Sequence, residues 1–184
     1  MKLADVFSIL NATFGFLAIY YHNPSFIFLA AFADGLDGYL ARKYGSGEFG
    51  RSLDTLADFI SFGVAPTYFL GIFALPYLFA SIYRLARFLN VTKEDFVGFP
   101  VTASAMIVVP LFLHSKNLAL FAALLLTFFM VSKIEYKKVK DAKLLSVAAI
   151  LILLAFVDAK LSVGILLLSV LYLLSPLAKN FYKH

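Results

Sequence analysis

The chain contains no cysteine, and this absence excludes disulfide bonds and thiol chemistry. Histidine is also scarce. The three histidines, at positions 22, 114 and 184, fall in predicted loops or at the terminus, so we interpret them as solvated side chains. Charged residues make up only 15% of the chain, whereas hydrophobic residues make up 62%. A soluble domain of this length would carry far more charge, so the composition indicates an integral membrane protein.

Eight apolar segments approach the roughly 20 residues that a helix needs to cross a bilayer. They cover residues 5–21, 24–44, 50–72, 75–90, 99–114, 118–134, 144–158 and 161–178. The breaks between them are short and polar, and no linker or soluble domain interrupts residues 1–184. We therefore predict one all-α, polytopic membrane helix bundle. No small-residue cleavage site follows the first segment, which we predict to be a retained span.

The lysines and arginines predict which side of the membrane each loop faces. Eight alternating spans place fourteen of the sixteen cations on one side and leave Lys116 and Lys160 on the other. The fourteen are Lys2, Arg42, Lys43, Arg51, Arg84, Arg87, Lys93, Lys133, Lys137, Lys138, Lys140, Lys143, Lys179 and Lys183. Because basic loops stay in the cytoplasm, we predict that both termini are cytoplasmic. The net charge of +5 then reflects topology and attraction to anionic membrane lipids, and it requires no nucleic acid partner.

Four aspartates interrupt the second and third apolar segments, in the stretch "ADGLDGYLARKYGSGEFGRSLDTLAD". Asp34 and Asp37 are three residues apart and Asp54 and Asp58 four apart, so each pair shares one helical face. The glycine-rich segment between the pairs folds the two helices back antiparallel and sets the acidic faces opposite each other. An ionised aspartate inside a bilayer costs at least about 2.5–3.5 kcal/mol. We therefore expect a cation between the four carboxylates.

The acidic cluster has two interpretations. Carboxylates without nearby histidine or cysteine suit Mg²⁺, Mn²⁺ or Ca²⁺, and two such ions are a recurrent apparatus for phosphoryl transfer. Gly35, Gly38 and Ala41 would then leave a bare strip for a base and a diphosphate, with Arg42 holding a phosphate. Alternatively, the acids relay protons or cations and the small residues pack helices. The adjacent basic turn favours a phosphorylated substrate, and both interpretations stay open at this point.

The same stretch resembles the signature of the CDP-alcohol phosphatidyltransferase family, D-x2-D-G-x2-A-R-x7,8-G-x3-D-x3-D. The matching positions are Asp34, Asp37, Gly38, Ala41, Arg42, Gly50, Asp54 and Asp58. The resemblance implies that the four aspartates ligate two divalent metal ions, Mg²⁺ or Mn²⁺, and that Asp58 also acts as general base. It further implies that the CDP moiety contacts Gly38, Ala41, Arg42 and Gly50.

Segments outside the signature resemble the phosphatidylserine synthase branch of this family. They are "SILNATFGFLAI", "SFGVAP", "YRLARFLN", "GFPVTASA" and "MVSKIEYKK", which together span most of residues 8–138. This resemblance implies a CDP-diacylglycerol-type liponucleotide, or an ether-lipid analogue, as donor, L-serine as acceptor, CMP as product and a homodimeric enzyme. Glycerol phosphate or inositol phosphate as acceptor, and a cation or proton transporter, remain the alternatives.

Serine carries a carboxylate, so its pocket should offer a fixed cation. Arg84 and Arg87 lie three apart on one face of the fourth segment and are our predicted carboxylate ligands, with Arg87 the stronger candidate. The alternative is that one or both snorkel to the membrane interface. Ser61 is a weaker candidate for the same pocket. Asn11, polar within the first segment, is predicted to reach the nucleotide or to bond a neighbouring helix. Ser132, Lys133 and Tyr136 are predicted to border the nucleotide or headgroup entrance, although ordinary interfacial positions explain them equally well.

Overall fold

The computed structural model describes residues 1–90, 96–139 and 141–181, which are almost entirely α-helical. In chain order the elements are α1 (Leu3–Tyr20), α2 (Phe26–Tyr44), α3 (Gly50–Asp58), a π-helical segment (Phe59–Val64), α4 (Ala65–Leu70), a 3₁₀ turn (Ile72–Ala74), α5 (Leu75–Asn90), β1 (Phe96–Val97), α6 (Val101–His114), α7 (Lys116–Val131), β2 (Glu135–Tyr136), α8 (Ala142–Val157), a second 3₁₀ turn (Ala159–Leu161) and α9 (Ser162–Phe181). The all-α prediction is confirmed, and helical structure occupies each of the eight predicted apolar segments.

Several of these helices are apolar enough to cross a membrane. Within the described ranges, three reach full span length, Leu3–Tyr20, Ile72–Asn90 and Ala159–Leu177, and three apolar helices are shorter, Val101–His114, Lys116–Val131 and Lys143–Val157. Helix α2 has the length, but its two aspartates and two basic residues lower its hydropathy. Exposed phenylalanines such as Phe121 and Phe128 on α7 suit a lipid-facing surface.

These features fit an integral membrane protein. The number of eight spans and the cytoplasmic termini stay predictions. Lys93, Lys140 and Lys183, which were counted among the cytoplasmic cations, lie outside the described residues.

The helix that follows Asp58 changes its hydrogen-bonding pattern for a reason that the sequence contains. Pro66 has no N–H and cannot donate to the carbonyl of Phe62, as a continuous α-helix would require. The hydroxyl of Tyr77, on α5, donates to that carbonyl at 3.1 Å. The π-helical segment therefore lies where the proline interrupts the α-helical pattern, directly after the last aspartate of the signature.

Helix α1 packs closely against the π-helical segment at a glycine. A Cβ built on Gly15 would lie 2.6 Å from the backbone Cα of Ser61, well inside the contact limit. The Ser61 hydroxyl donates to the carbonyl of Asn11 at 2.8 Å, one turn earlier on α1. The missing side chain of Gly15 thus lets α1 approach the helix that carries Asp58.

Replacing Gly15 by alanine should lower the free energy of unfolding by about 1–3 kcal/mol, because the added methyl group overpacks the contact with Ser61. Thermal unfolding followed by circular dichroism in detergent measures this change. Gly35→Ala is the matched control, since nothing lies within 4 Å of a Cβ built there and alanine favours the helix. Equal stability of the two variants would contradict the packing role of Gly15.

Two short strands pair the loop before α6 with the loop after α7. Strands β1 and β2 are antiparallel, with Phe96 opposite Tyr136 and Val97 opposite Glu135. This pairing holds the segment before α6 against the segment after α7. It thereby fixes Phe96 beside the end of α5, where two cations of the site lie.

Candidate active site

The four aspartates of the signature lie together, as their spacing predicts. Ligand oxygens of Asp34, Asp54 and Asp58 all lie within 4.8 Å of one another. Asp37 lies one turn from Asp34 on α2, and its side chain interacts directly with that of Asp54. The turn after α2 begins at Gly45, whose φ of 76° is a conformation that favours glycine. Helices α2 and α3 therefore fold back so that their acidic faces meet.

Each pair of aspartates receives hydrogen bonds from other helices. Thr102, in the first turn of α6, donates to Asp34 Oδ2 at 3.0 Å. From α1, Ser8 donates to Asp37 Oδ2 at 2.6 Å. The side-chain amide of Asn11, also on α1, donates to Asp58 Oδ1 at 3.0 Å. Sequence reasoning missed Ser8 and Thr102, although Ser8 lies three residues before Asn11 and so shares its helical face.

The donor set fits a divalent cation. The cluster offers only carboxylate oxygens, which hard cations such as Mg²⁺ and Mn²⁺ prefer. Asp37 and Asp58 are buried, and like charges this close together repel strongly unless a cation lies among them. In addition, Asn11 Oδ1 is buried and has no hydrogen-bond partner among the described residues. These residues therefore fit the divalent metal ions that the signature implies.

A cavity of about 350 Å³ opens beside the cluster, which is a size suited to a small-molecule ligand. Its lining includes Asp37 and Asp54 together with Gly38, Ala41 and Gly50. Three of the predicted nucleotide contacts therefore line the same cavity. Arg42 is exposed, and its Nη1 lies 3.6 Å from where a Cβ of Gly38 would be.

The cavity also has cations that the signature does not contain. Arg51, in the first turn of α3, and Lys138, after β2, both line it. The guanidinium of Arg51 lies 4.8 Å from the ring centroid of Phe88 and donates to the Phe88 carbonyl. The Lys138 ammonium lies 5.0 Å from the ring centroid of Phe96. A cavity lined by both acids and cations suits a metal-bound diphosphate.

The two arginines predicted to bind serine lie in different surroundings. Arg84 is only 5% exposed, and its guanidinium lies over the rings of both Phe88 and Phe96, 5.5 and 5.1 Å from their centroids. It interacts electrostatically with Asp34 and Asp58.

Arg87 instead donates to backbone carbonyls at the end of α7 and in β1. The acceptors are Met130 at 2.8 Å, Val97 at 2.9 Å and Val131 at 3.3 Å. Its Nε is buried and has no hydrogen-bond partner among the described residues. Of the two arginines, Arg84 is therefore the one beside the aspartates.

The remaining predicted site residues make packing contacts or are exposed. Ser61, in the π-helical segment, is buried against α1, where its hydroxyl donates to the Asn11 carbonyl. Ser132 ends α7, donating to the Phe129 carbonyl at 2.8 Å, and Lys133 is exposed. Tyr136 is buried, with its ring centroid 5.2 Å from that of Phe99 and 5.7 Å from that of Tyr172.

Comparison with known proteins agrees with this geometry. The model of the family described as CDP-alcohol phosphatidyltransferase matches residues 1–175. A CDP-diacylglycerol–serine O-phosphatidyltransferase of Methanocaldococcus jannaschii is 34% identical over 85% of this chain and 84% of its own. A protein of the same name from Bacillus subtilis is 35% identical over 71% of this chain and 86% of its own. An archaetidylserine synthase of Methanothermobacter thermautotrophicus is 33% identical over 76% of this chain and 71% of its own. The acidic cluster, the cavity and these similarities agree: the chain belongs to the CDP-alcohol phosphatidyltransferase family.

Proposed function

We propose that this protein transfers the phosphatidyl group of CDP-diacylglycerol, or of an ether-lipid analogue, to the hydroxyl of L-serine and releases CMP. The observation that carries the reaction type is the meeting of the signature aspartates beside a cavity whose lining includes Arg51 and Lys138. Serine as acceptor is supported by the three similar proteins, all of which are named for serine.

The CDP moiety would occupy the cavity, and the lipid tails would remain in the bilayer. Gly38, Ala41 and Gly50 offer backbone surface for the nucleotide, and Arg42 is close enough to Gly38 to hold a phosphate. Two divalent ions, Mg²⁺ or Mn²⁺, held by Asp34, Asp37, Asp54 and Asp58 would supply Lewis acidity at the diphosphate. Arg51 and Lys138 add positive charge to the lining of the cavity.

The reaction that these residues support is a direct displacement. The serine hydroxyl oxygen attacks the phosphorus that bears the lipid, and the bond from this phosphorus to the oxygen shared with CMP breaks. CMP leaves with that oxygen. The hydroxyl proton passes to Asp58, whose Oδ1 already accepts from Asn11, so we assign the proton to Oδ2. Positioning and charge stabilisation account for most of the catalysis.

The serine carboxylate would bind a buried cation near these aspartates. Ser61, Arg84 and Arg87 stay our predicted serine-binding residues, and the surroundings of Arg84 favour it as the carboxylate ligand. Arg87 already donates to three backbone carbonyls. The headgroup entrance bordered by Ser132, Lys133 and Tyr136 also stays a prediction.

Arg84→Gln should raise the KM for serine about 10–100-fold, because it removes a charge-assisted hydrogen bond to the carboxylate. The KM for the liponucleotide should change much less. Steady-state CMP release, with each substrate varied in turn, measures both constants. Lys116→Gln, an exposed cation at the start of α7, is the control. A larger effect on serine KM from Arg87→Gln would show that the assignment to Arg84 is wrong.

The proposed topology has eight spans, with both termini and the active site on the cytoplasmic side of the membrane. Because the chain lacks cysteine, single cysteines report loop location without background. Lys137 is exposed in the loop after β2, and Asn117 is exposed at the start of α7. Lys137→Cys should react with a membrane-impermeant maleimide in inverted vesicles, whereas Asn117→Cys should react with it in right-side-out vesicles. The reverse pattern would contradict the orientation. We also propose a homodimer, by similarity to the family.

The acceptor is tested by CMP release from purified protein in detergent, supplied with the liponucleotide and Mg²⁺ or Mn²⁺. We expect CMP release to require L-serine. The ester-linked and the ether-linked liponucleotide are each tested as donor. Release with glycerol phosphate or inositol phosphate but not with serine would keep the reaction type and contradict the acceptor. Ion movement in liposomes that lack liponucleotide, without CMP release in any mixture, would favour the transporter.

A further inference from the structure

Helix α1 carries a line of polar side chains on its buried face. Asp5, Ser8 and Asn11 are spaced three residues apart, and they are only 3%, 3% and 0% exposed. The rest of α1 is mainly apolar. Buried polar side chains in a membrane helix are costly unless they are bonded, so their partners indicate what they do.

Each of these side chains contacts a different piece of the active site. Asp5 accepts from the backbone N–H of Gly47 at 3.0 Å, in the turn between α2 and α3, and from Lys2 at 2.7 Å. Ser8 donates to Asp37 on α2, and Asn11 donates to Asp58 on α3. Ser8 Oγ also lies 3.4 Å from the Ala4 carbonyl, but the 2.6 Å bond to Asp37 is much the shorter.

We infer that Ser8 and Asn11 are positioning residues, through which α1 sets the carboxylates of Asp37 and Asp58 for metal binding and reaction. This inference rests on the proposed function. Asp5 complements them by anchoring the turn that joins the two acid-bearing helices.

The packing of the helices explains why such positioning is needed. Helix α1 packs extensively against both α2 and α3, whereas α2 and α3 contact each other at few positions. Their carboxylates repel one another when ionised, so the two helices need a third element to hold them in register. A hydrogen bond to a charged group is stronger than one between neutral groups, and it also fixes the direction of the carboxylate.

Stability alone explains Asn11 poorly. Its amide nitrogen bonds Asp58, but its Oδ1 is buried without a partner among the described residues, which destabilises the fold. Retaining an amide at this position is understandable if its bond to Asp58 serves the reaction. Outer residues that orient metal ligands typically change metal affinity or activity about 10–100-fold when they are replaced.

The first test is Mn²⁺ binding to the purified full chain without substrate, with free Mn²⁺ measured by electron paramagnetic resonance. Ser8→Ala should weaken binding about tenfold or more, and Ser8→Thr, which keeps the hydroxyl, should restore it to within about threefold. Thr13→Ala is the matched control, because Thr13 is exposed on α1 and its hydroxyl donates to the Ile9 carbonyl of the same helix at 2.8 Å. Unchanged Mn²⁺ affinity in Ser8→Ala would overturn the inference for Ser8.

The second test separates positioning from nucleotide contact at Asn11. Asn11→Ala should lower kcat about 10–100-fold and leave the KM for the liponucleotide within about twofold. A raised KM with unchanged kcat would overturn the positioning role and assign Asn11 to the nucleotide. Circular dichroism melts of each variant identify any that fail to fold, and Asn11→Leu, which is similar in size and cannot donate a hydrogen bond, then replaces the alanine variant. Wild-type protein that binds Mn²⁺ but shows no serine-dependent CMP release would instead contradict the proposed function.

Discussion

Asp58→Asn should lower the kcat for serine-dependent CMP release about 10²–10⁴-fold, because an amide cannot accept the hydroxyl proton. The substitution keeps the size of the side chain, and Asn11 can still donate to its remaining carbonyl oxygen. Asp58 is also a predicted metal ligand, so turnover and liponucleotide binding are compared at saturating Mg²⁺ or Mn²⁺, where binding should be largely retained. Steady-state kinetics and equilibrium binding of the liponucleotide measure the two effects separately.

The matched control for Asp58→Asn is Asp158→Asn, in the exposed turn between α8 and α9. It makes the same chemical change far from the signature along the chain and should leave kcat unaltered. If Asp58→Asn turned over within about threefold of the wild-type rate, the assignment of the general base would be wrong.

Removal of divalent metal should abolish CMP release, and added Mg²⁺ or Mn²⁺ should restore it. The physical reason is the cluster itself, since ligand oxygens of three aspartates lie within 4.8 Å and their charges repel without a cation. Asp54→Asn should raise the metal concentration that gives half-maximal activity, because it removes one anionic ligand. Activity measured after exhaustive chelation with EDTA, and then during metal titration, tests both statements.

Full activity after chelation would contradict the metal site. A normal metal requirement in Asp54→Asn would contradict its role as ligand and leave the other aspartates of the cluster as candidates. The same titration on Asp158→Asn controls for a general loss of negative charge.

The sequence predicted the helices and the acidic cluster because both depend on local spacing. Aspartates three and four residues apart must share a helical face, and a short glycine-rich turn must bring the two faces together. The predicted segment at 75–90 coincides with α5, since Gly71 ends the preceding helix with a φ of 89°. Apolar composition similarly predicted the membrane character of α1 and α9.

The rest of the site depends on tertiary contacts, which spacing does not contain. Ser8 and Thr102 reach the aspartates only because α1 and α6 pack beside α2. Arg84 and Arg87 are three residues apart, yet Arg84 lies beside the aspartates and Arg87 donates to carbonyls at the end of α7 and in β1. For Asn11 the sequence left open a nucleotide contact or a helix-packing bond, and the bond to Asp58 combines packing with the active site.

The most direct test of the account follows the oxygen of the acceptor. Purified protein is supplied with CDP-diacylglycerol, Mg²⁺ or Mn²⁺ and L-serine carrying ¹⁸O in its hydroxyl group, and both products are analysed by mass spectrometry. The account predicts CMP without label and an equal amount of phosphatidylserine with ¹⁸O in its phosphodiester. Label in a nucleotide product, with phosphatidic acid released, would contradict attack at the lipid-bearing phosphorus, and no labelled lipid at all would contradict serine as the acceptor.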